Sequence, residues 1–169
     1  MTGPVRAWRC WAVAAAGRGI LCSCLDPNPH VIEWHPGAQP AACAFHDHPA
    51  PDPACRCGWR GQPDLAELIW WLRDFKQVTP HVIGGVELSG AVLAGDRAHP
   101  EIPGILRAGQ VRVTGPLVVG PVVYQTTNVT ALAARYGVQA VASSGLDARS
   151  WLSAVEGDLH ALGAGQERP

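Results

Sequence analysis

Residues 43–58 read CAFHDHPAPDPACRCG and contain three cysteines and two histidines. Prolines and a glycine interrupt this stretch, so no regular helix or strand competes for its backbone. The stretch cannot bury an ordinary hydrophobic core, and another interaction must therefore order it. A metal ion held by thiolates and an imidazole is the economical solution.

The pattern predicts a structural zinc with four ligands, Cys43, His48, Cys55 and Cys57. The last two lie two residues apart, and Gly58 permits the tight turn that could aim both thiols inward. His48 is preferred as the nitrogen ligand because Pro49 restricts the backbone before it to extended conformations. His46 could replace it, since a single residue separates the two histidines. The spacing differs from the C-x2-C pairs of zinc ribbons, so the pattern is less specific than theirs.

Two other interpretations of this stretch are open. The cysteines could be partly buried free thiols without any metal, since free cysteine is among the most buried residue types. The stretch could also hold an iron–sulfur cluster or a catalytic metal. Catalysis would need an exchangeable position and a general base, and Asp47 and Asp52 are the only carboxylates in the stretch. Four protein ligands leave no open position for water, which favours a structural metal.

A second group of cysteines, Cys10, Cys22 and Cys24, lies near the start of the chain. Alternating large and small residues predict a strand over 7–13, and a glycine-containing turn leads to a second strand over 20–25. In such a hairpin the thiols could face each other. They are interpreted first as small buried residues. A redox pair or a contribution to the metal site are the alternatives.

Composition limits the class of protein. The chain has 169 residues, of which 47% are hydrophobic and 16% charged, so one domain can bury a sizeable core. A net charge of −1 argues against a nucleic-acid binder held mainly by phosphate contacts. The first apolar run is short and makes a poor signal sequence, and no run approaches the ~20 residues of a membrane span. We expect a cytoplasmic protein without a membrane partner, in which clustered cysteines indicate metal more than disulfides.

The rest of the chain predicts an α+β fold. A helix over 64–76 carries apolar residues at helical spacing and ends before Pro80. The further elements are strands over 82–93 and 110–119 with a loop over 95–109 between them, a helix over 131–136, a strand over 138–141, and a last helix starting within 143–146. Together they predict a bent, mostly antiparallel sheet, which could be barrel-like, with a zinc knuckle loop and two or three helices.

The predicted divisions of the chain are a zinc-stabilised core domain over 1–125, a helix–strand–helix element packed on it over 126–163, and a frayed tail over 164–169.

A series of motifs runs through the first two thirds of the chain: Trp8-x2-Trp11, Cys43, His48-Pro49-Ala50-Pro51, Cys55-x-Cys57-Gly58 and Gly85-Val86-x-Leu88-x-Gly90. Together they resemble uncharacterised small zinc-type proteins from high-GC bacteria. The resemblance implies a shared zinc-bearing fold. It implies no mechanism, because no activity is known for that group.

The favoured functional hypothesis is a small zinc-stabilised binding or adaptor module that engages a protein partner and is not catalytic. Trp70 and Trp71 cannot both face the core, because adjacent helix positions are ~100° apart, and an exposed tryptophan would be a plausible partner anchor. The alternative is a small enzyme with a pocket between the sheet and the C-terminal helices. A third hypothesis is nucleic-acid binding through Trp59 and three arginines, Arg56, Arg60 and Arg73.

Overall fold

Two long antiparallel strands, β5 (Val82–Ala94) and β6 (Leu106–Val119), form the centre of the structure. The structure is a computed structural model and describes residues 3–13, 19–24, 32–74, 82–96, 100, 102–121, 129–147 and 150–162. Valine and leucine predominate at the buried positions of both strands, as expected from their preference for a pleated, half-buried surface. The predicted strand over 82–93 is thereby confirmed.

Five shorter strands complete a seven-stranded sheet within the described residues: β1 (Val5–Val13), β2 (Leu21–Ser23), β3 (Gln39–Pro40), β4 (Trp59–Gly61) and β7 (Ala140–Ala142). β1 pairs with β5, and β2 pairs with the outer edge of β1, both antiparallel. The other edge of β6 receives β3 and β4 in antiparallel pairing and β7 in parallel pairing. The predicted α+β class with a mostly antiparallel sheet is confirmed. The described strands do not close into a barrel, although an isolated bridge between Trp8 and Gln62 brings β1 to the end of β4.

The connection between β5 and β6 is shorter than the predicted loop over 95–109, because β6 begins at Leu106. Residues 106–108 pair with β4 on one side and with β5 on the other, so tertiary pairing extends the strand past Gly109. At this glycine a Cβ atom would lie 2.9 Å from the carbonyl oxygen of Ala50. Gly109 therefore permits a close approach of another segment and does not break the strand.

The pairing register of β5 and β6 shifts at two places, between Gly84 and Val86 and between Ser89 and Val92. Such bulges bend a strand and increase its twist. At the first shift, a Cβ on Gly85 would lie 2.3 Å from the carbonyl oxygen of Gly115, which leaves room for glycine alone. These two irregularities are therefore the positions at which the predicted bend of the sheet is expected.

Three helices occur in the described part of the chain: α1 (Leu65–Asp74), α2 (Val129–Tyr136) and α3 (Ser150–Ala161). They lie on opposite faces of the sheet, and alternate strand residues divide the core between those faces. One cluster joins α2 to the sheet through Trp11, Trp34, Val86, Leu117 and Leu132. The other joins α1 and α3 to the sheet through Leu68, Ile83, Val118 and Val155. No described helix is long and apolar enough to cross a membrane.

The C-terminal segment has the predicted helix–strand–helix order of α2, β7 and α3. Gly137 follows α2 with a φ of 66°, the left-handed conformation expected at a helix end. The described part of the last helix begins at Ser150. Asp147 accepts the N–H of Ser150 at 2.8 Å and caps the helix, so the helix does not start within 143–146 as predicted. The boundaries of the three predicted divisions stay predictions, and residues 164–169 lie outside the described part of the chain.

Candidate metal centre

The segment between β3 and β4, residues 41–58, contains all four predicted ligands and is called the metal loop. Both of its ends are anchored on one short stretch of β6. The N–H of Ala41 donates to the carbonyl of Gly109 at 2.7 Å, and Trp59 pairs with the neighbouring Ala108. β3 and β4 therefore form one interrupted edge strand, from which the metal loop leaves and to which it returns at adjacent positions.

The structure brings Cys43, His48, Cys55 and Cys57 together, and their ligand atoms all lie within 4.8 Å of one another. The sulfur atoms of Cys43 and Cys55 are 3.6 Å apart. A tetrahedral site with metal–sulfur bonds of about 2.3 Å has sulfur–sulfur edges of about 3.8 Å, so this pair has the spacing of two ligands that share a metal. All six cysteines of the chain are free thiols, and Cys55 and Cys57 are buried. This cluster could hold a metal ion.

The imidazole of His48 is oriented for metal binding. Its Nδ1 atom lies 2.9 Å from the carbonyl oxygen of Pro49. Because a carbonyl oxygen only accepts, Nδ1 carries the hydrogen and Nε2 keeps its lone pair. Nε2 is buried and has no hydrogen-bond partner among the described residues. Metal-bound histidines usually donate their other ring N–H to a carbonyl or carboxylate in this way, and a metal at the cluster would satisfy Nε2.

His46 lies on the exposed side of the cluster, with its Nδ1 3.7 Å from the sulfur of Cys55 and 4.0 Å from that of Cys43. The hydrogen bond with His46 is the main reason that the pKa of Cys55 falls to about 6. Cys55 is therefore largely a thiolate at neutral pH, which is the form that binds metal. Burial raises the pKa of the Cys57 thiol. The contact of His46 with two thiols keeps it as the alternative nitrogen ligand.

Gly58 ends the metal loop in a conformation that favours glycine. Its φ is 110°, and a Cβ atom there would lie 2.9 Å from Cβ of Pro51 and 3.3 Å from the carbonyl oxygen of Ala108. The tight turn predicted at Gly58 is therefore present. It directs the chain from the two ligand cysteines straight into β4.

Sequence reasoning missed Arg107, a β6 residue that is 3% exposed and contacts the metal loop. Its Nη1 atom donates to the carbonyl oxygens of Asp52, Cys55 and Cys57 at 3.2, 2.6 and 3.0 Å. Its Nε atom donates to the carbonyl of Gly95 at 3.0 Å. A guanidinium has no lone pair for a metal, so Arg107 positions the backbone of the ligand cysteines and does not bind the metal.

A partly buried ion pair ties β4 to Asp96, just beyond the end of β5. The Nε atom of Arg60 donates to the carboxylate of Asp96, which is buried. An Nη atom of Arg60 also donates to the carbonyl of Arg56 in the metal loop at 2.7 Å. Two guanidinium groups, those of Arg60 and Arg107, thus hydrogen-bond to the backbone of a loop that concentrates three thiols. The charge of Arg60 is balanced by Asp96, whereas that of Arg107, whose hydrogen-bond partners are backbone carbonyls, would offset the charge of the thiolates.

Three tryptophans pack in series next to the metal loop. The rings of Trp34 and Trp59 have centroids 4.7 Å apart, and those of Trp11 and Trp34 are 5.4 Å apart, both edge to face. The guanidinium carbon of Arg9 lies 4.7 Å from the centroid of Trp34. Trp34 is fully buried at the centre of this series. Through its contact with Trp59, Trp34 links β4, the strand that follows the metal loop, to the core cluster that joins α2 to the sheet.

Comparisons with protein-family models, with curated proteins and with solved structures found no match to this chain. The resemblance to small zinc-type proteins of high-GC bacteria therefore stays a prediction. The function of the chain must be inferred from the chemistry of its own residues. The most specific chemistry in the described structure is that of the cysteine and histidine cluster in the metal loop.

Proposed function

We propose that the chain is a small zinc-stabilised binding module, with zinc held by Cys43, His48, Cys55 and Cys57. The observation that carries this proposal is the convergence of four ligand atoms within 4.8 Å, with the buried Nε2 of His48 among them. Four protein ligands fill the tetrahedral coordination of zinc and leave no position for a reacting water. The metal is thus structural and stabilises the metal loop.

Zinc fits the donor set better than other metals do. Three thiolates and one imidazole are typical of structural zinc sites. Calcium and magnesium prefer oxygen ligands, and most iron–sulfur clusters use four thiolates, whereas this cluster has three. A cytoplasmic location would suit this site, because thiols stay reduced there and remain able to bind zinc.

The metal loop offers a surface for a protein partner. Phe45 is 61% exposed, and the guanidinium carbon of Arg56 lies 6.0 Å from the centroid of its ring. An exposed aromatic residue beside an arginine is the composition typical of interface hot spots. Phe45 lies between two candidate ligands in the sequence, so an ordered metal would hold it in place. A second exposed aromatic residue, Trp70, is 58% exposed on α1, whereas Trp71 is buried.

The alternatives have less support. An open cavity of about 490 Å³ adjoins the connection from β5 to β6, but its charged groups, Asp96 and Arg107, are engaged by Arg60 and by backbone carbonyls. An enzyme would need such groups available to a substrate. Of the arginines considered for nucleic-acid binding, Arg60 is paired with Asp96, and Arg73 donates to Ser153 at 3.1 Å.

The metal proposal is tested by elemental analysis of protein purified without added metal. We expect about one zinc per chain, lost in Cys55→Ser. His48→Ala and His46→Ala form a matched pair, because both remove an imidazole from the same loop. His48→Ala should lose the zinc that His46→Ala retains. Iron, an absence of metal, or the reverse result for the two histidines would contradict the proposed ligand set.

The binding role is tested separately with Phe45→Ala. This variant should keep its zinc and its unfolding midpoint, because the ring is exposed. Affinity purification from the source cells should recover a protein with the wild-type chain that is depleted at least about tenfold with Phe45→Ala, as expected for a hot-spot residue. Equal recovery of every protein by the two chains would contradict the assigned surface.

A further inference from the structure

Cys10 and Cys24 form a thiol pair that is separate from the four candidate ligands. β1 and β2 are antiparallel, and their register pairs Trp11 with Ser23. One step further along the same register, Cys10 stands opposite Cys24. The two sulfur atoms are 3.2 Å apart and share a hydrogen bond. The pair is thus aligned by the hairpin itself.

The two thiols differ in exposure. Cys10 is fully buried on the face of the sheet that carries α1 and α3, among residues such as Leu68 and Ile83. Cys24 is partly exposed just after the end of β2. Cys24 is therefore the more accessible residue of the two, although it packs against the same cluster that encloses Cys10.

The two thiols also differ in pKa, and the more exposed one, Cys24, has the lower value. The hydrogen bond between them lowers the pKa of Cys24 and raises that of Cys10 well above its usual value. The nearby charge of Arg9 lowers the pKa of both. In the structure the Cys24 thiol donates to the Cys10 sulfur. The lower pKa of Cys24 means that it ionises first, and Cys10 then keeps its proton and becomes the donor. This is the asymmetry of an attacking and a resolving cysteine.

The pair does not have the composition of a second zinc site, which would need about four ligands. Within the described residues, the metal loop contains the one cluster of three or more metal-binding side chains. The nearest other thiol in the sequence is Cys22. It donates to the carbonyl of Ile20 at 3.6 Å and is paired with Ala12 of β1, so it has no thiol opposite it.

We propose that Cys10 and Cys24 are a redox-active site that undergoes reversible thiol–disulfide exchange with a small-molecule disulfide of the glutathione type. Directly opposed residues of an antiparallel pair have Cβ atoms about 4.5–5.5 Å apart. A disulfide needs a Cβ separation of about 3.5–4.5 Å. The bond can therefore form with a small adjustment of the hairpin.

The exchange takes place in two balanced steps. The Cys24 thiolate attacks one sulfur of the small disulfide and forms a mixed disulfide, and the other half leaves as a thiolate that takes up a proton. Cys10 then loses its proton and attacks the Cys24 sulfur, which expels the second half as a thiol. Two protein thiols are oxidised by two electrons, and the small disulfide is reduced to two thiols. Excess small thiol reverses both steps.

The test equilibrates the protein as purified with glutathione buffers of increasing oxidised fraction, followed by acid quenching and alkylation. We expect an intramolecular disulfide that lowers the mass by about 2 Da and removes two of the six thiols. Reducing buffer should restore all six. Cleavage with trypsin and before Asp26 should yield peptide 10–18 linked to peptide 19–25.

Cys22→Ser is the matched control, because it removes a buried thiol two residues from Cys24. It should keep the disulfide and its midpoint, whereas Cys24→Ser should abolish it. Cys10→Ser, or Cys10→Ala where the serine variant does not fold, should stop at a mixed disulfide with glutathione on Cys24. A chain without an internal disulfide in fully oxidised buffer would overturn the proposal, as would a link to Cys22.

Discussion

Replacement of Arg107 by methionine should weaken zinc binding although Arg107 is not a ligand. The substitution keeps an unbranched apolar side chain in the core and removes the guanidinium. Three carbonyl oxygens of the metal loop, those of Asp52, Cys55 and Cys57, then lose their donor. Two of these belong to proposed ligands, so the backbone that presents the thiols is no longer fixed against β6.

The size of the effect follows from these contacts. A hydrogen bond to a charged group contributes roughly 1.5–3 kcal/mol. Because parts of the metal loop are exposed, some freed carbonyls can reach water, and we count two of the three bonds at the lower limit, about 3 kcal/mol. Since about 1.4 kcal/mol changes an equilibrium constant tenfold, the Kd for zinc should rise about 100-fold in Arg107→Met.

The measurement is a competition titration of zinc between the protein and a chromophoric chelator, with far-UV circular dichroism to verify that the sheet is retained. Arg112→Met is the control on the same strand, because Arg112 is exposed and its 3.0 Å ion pair with Glu87 lies on the surface. Such pairs contribute at most about 1 kcal/mol. The reasoning is refuted if Arg107→Met binds zinc within about threefold of the wild type, or if Arg112→Met loses as much affinity.

Three further outcomes are expected. Gly58→Ala should lower the free energy of unfolding in urea by about 2–3 kcal/mol, because the new Cβ atom meets Pro51 at a positive φ. Gly37→Ala is the control, since Gly37 also has a positive φ but lies in open space, and it should cost about 1 kcal/mol. Equal losses in the two variants would contradict a destabilising contact with Pro51. Tyr136→Phe should cost about 1–2 kcal/mol at pH 7, since the hydroxyl no longer donates to the Trp34 carbonyl at 2.7 Å. Burial raises the pKa of Tyr136. The stability that its hydroxyl contributes is therefore fully present below a pH of about 10, the pKa in the unfolded chain, and is lost as the pH rises through the folded pKa. The difference in unfolding free energy between the wild type and Tyr136→Phe should shrink above pH ~10, and a constant difference would contradict this. Removal of zinc by a chelator should speed amide hydrogen exchange in the metal loop about tenfold or more and leave β5 and β6 unchanged, whereas uniform acceleration would indicate that the metal stabilises the whole sheet.

The candidate ligands could be predicted because they lie within one short segment, where spacing alone limits the geometry. Arg107 could not be predicted in the same way, since it follows Cys57 by 50 residues and reaches the loop only through the pairing of β4 with β6. A signal was nevertheless present in the sequence. Arg107 interrupts the apolar run of residues 105–108, and a charge at a buried strand position needs dedicated partners.

The fold class and the elements with strong local patterns could be predicted, whereas some element boundaries differ from the prediction because tertiary contacts override the local pattern. The long strand β5 follows from its own residues. The early start of β6 depends on the three-residue strand β4, whose pairing no local pattern indicates. The local pattern predicts Gly109 as a loop residue, whereas in the structure Gly109 lies within β6 and lets the Ala50 carbonyl approach the strand. The two edges of the sheet likewise depend on contacts between distant segments, so the sequence alone is compatible with both an open sheet and a barrel.

Because both ends of the metal loop pair with adjacent positions of β6, the loop is an insertion within the single edge strand formed by β3 and β4. Ala41 and Trp59 lie opposite the consecutive residues Gly109 and Ala108, so a chain spliced directly from one to the other would continue the same ladder. Loop length and ligand chemistry can therefore change during evolution without any change of strand order. The same junction is a natural position for grafting a foreign metal-binding or recognition peptide onto this sheet.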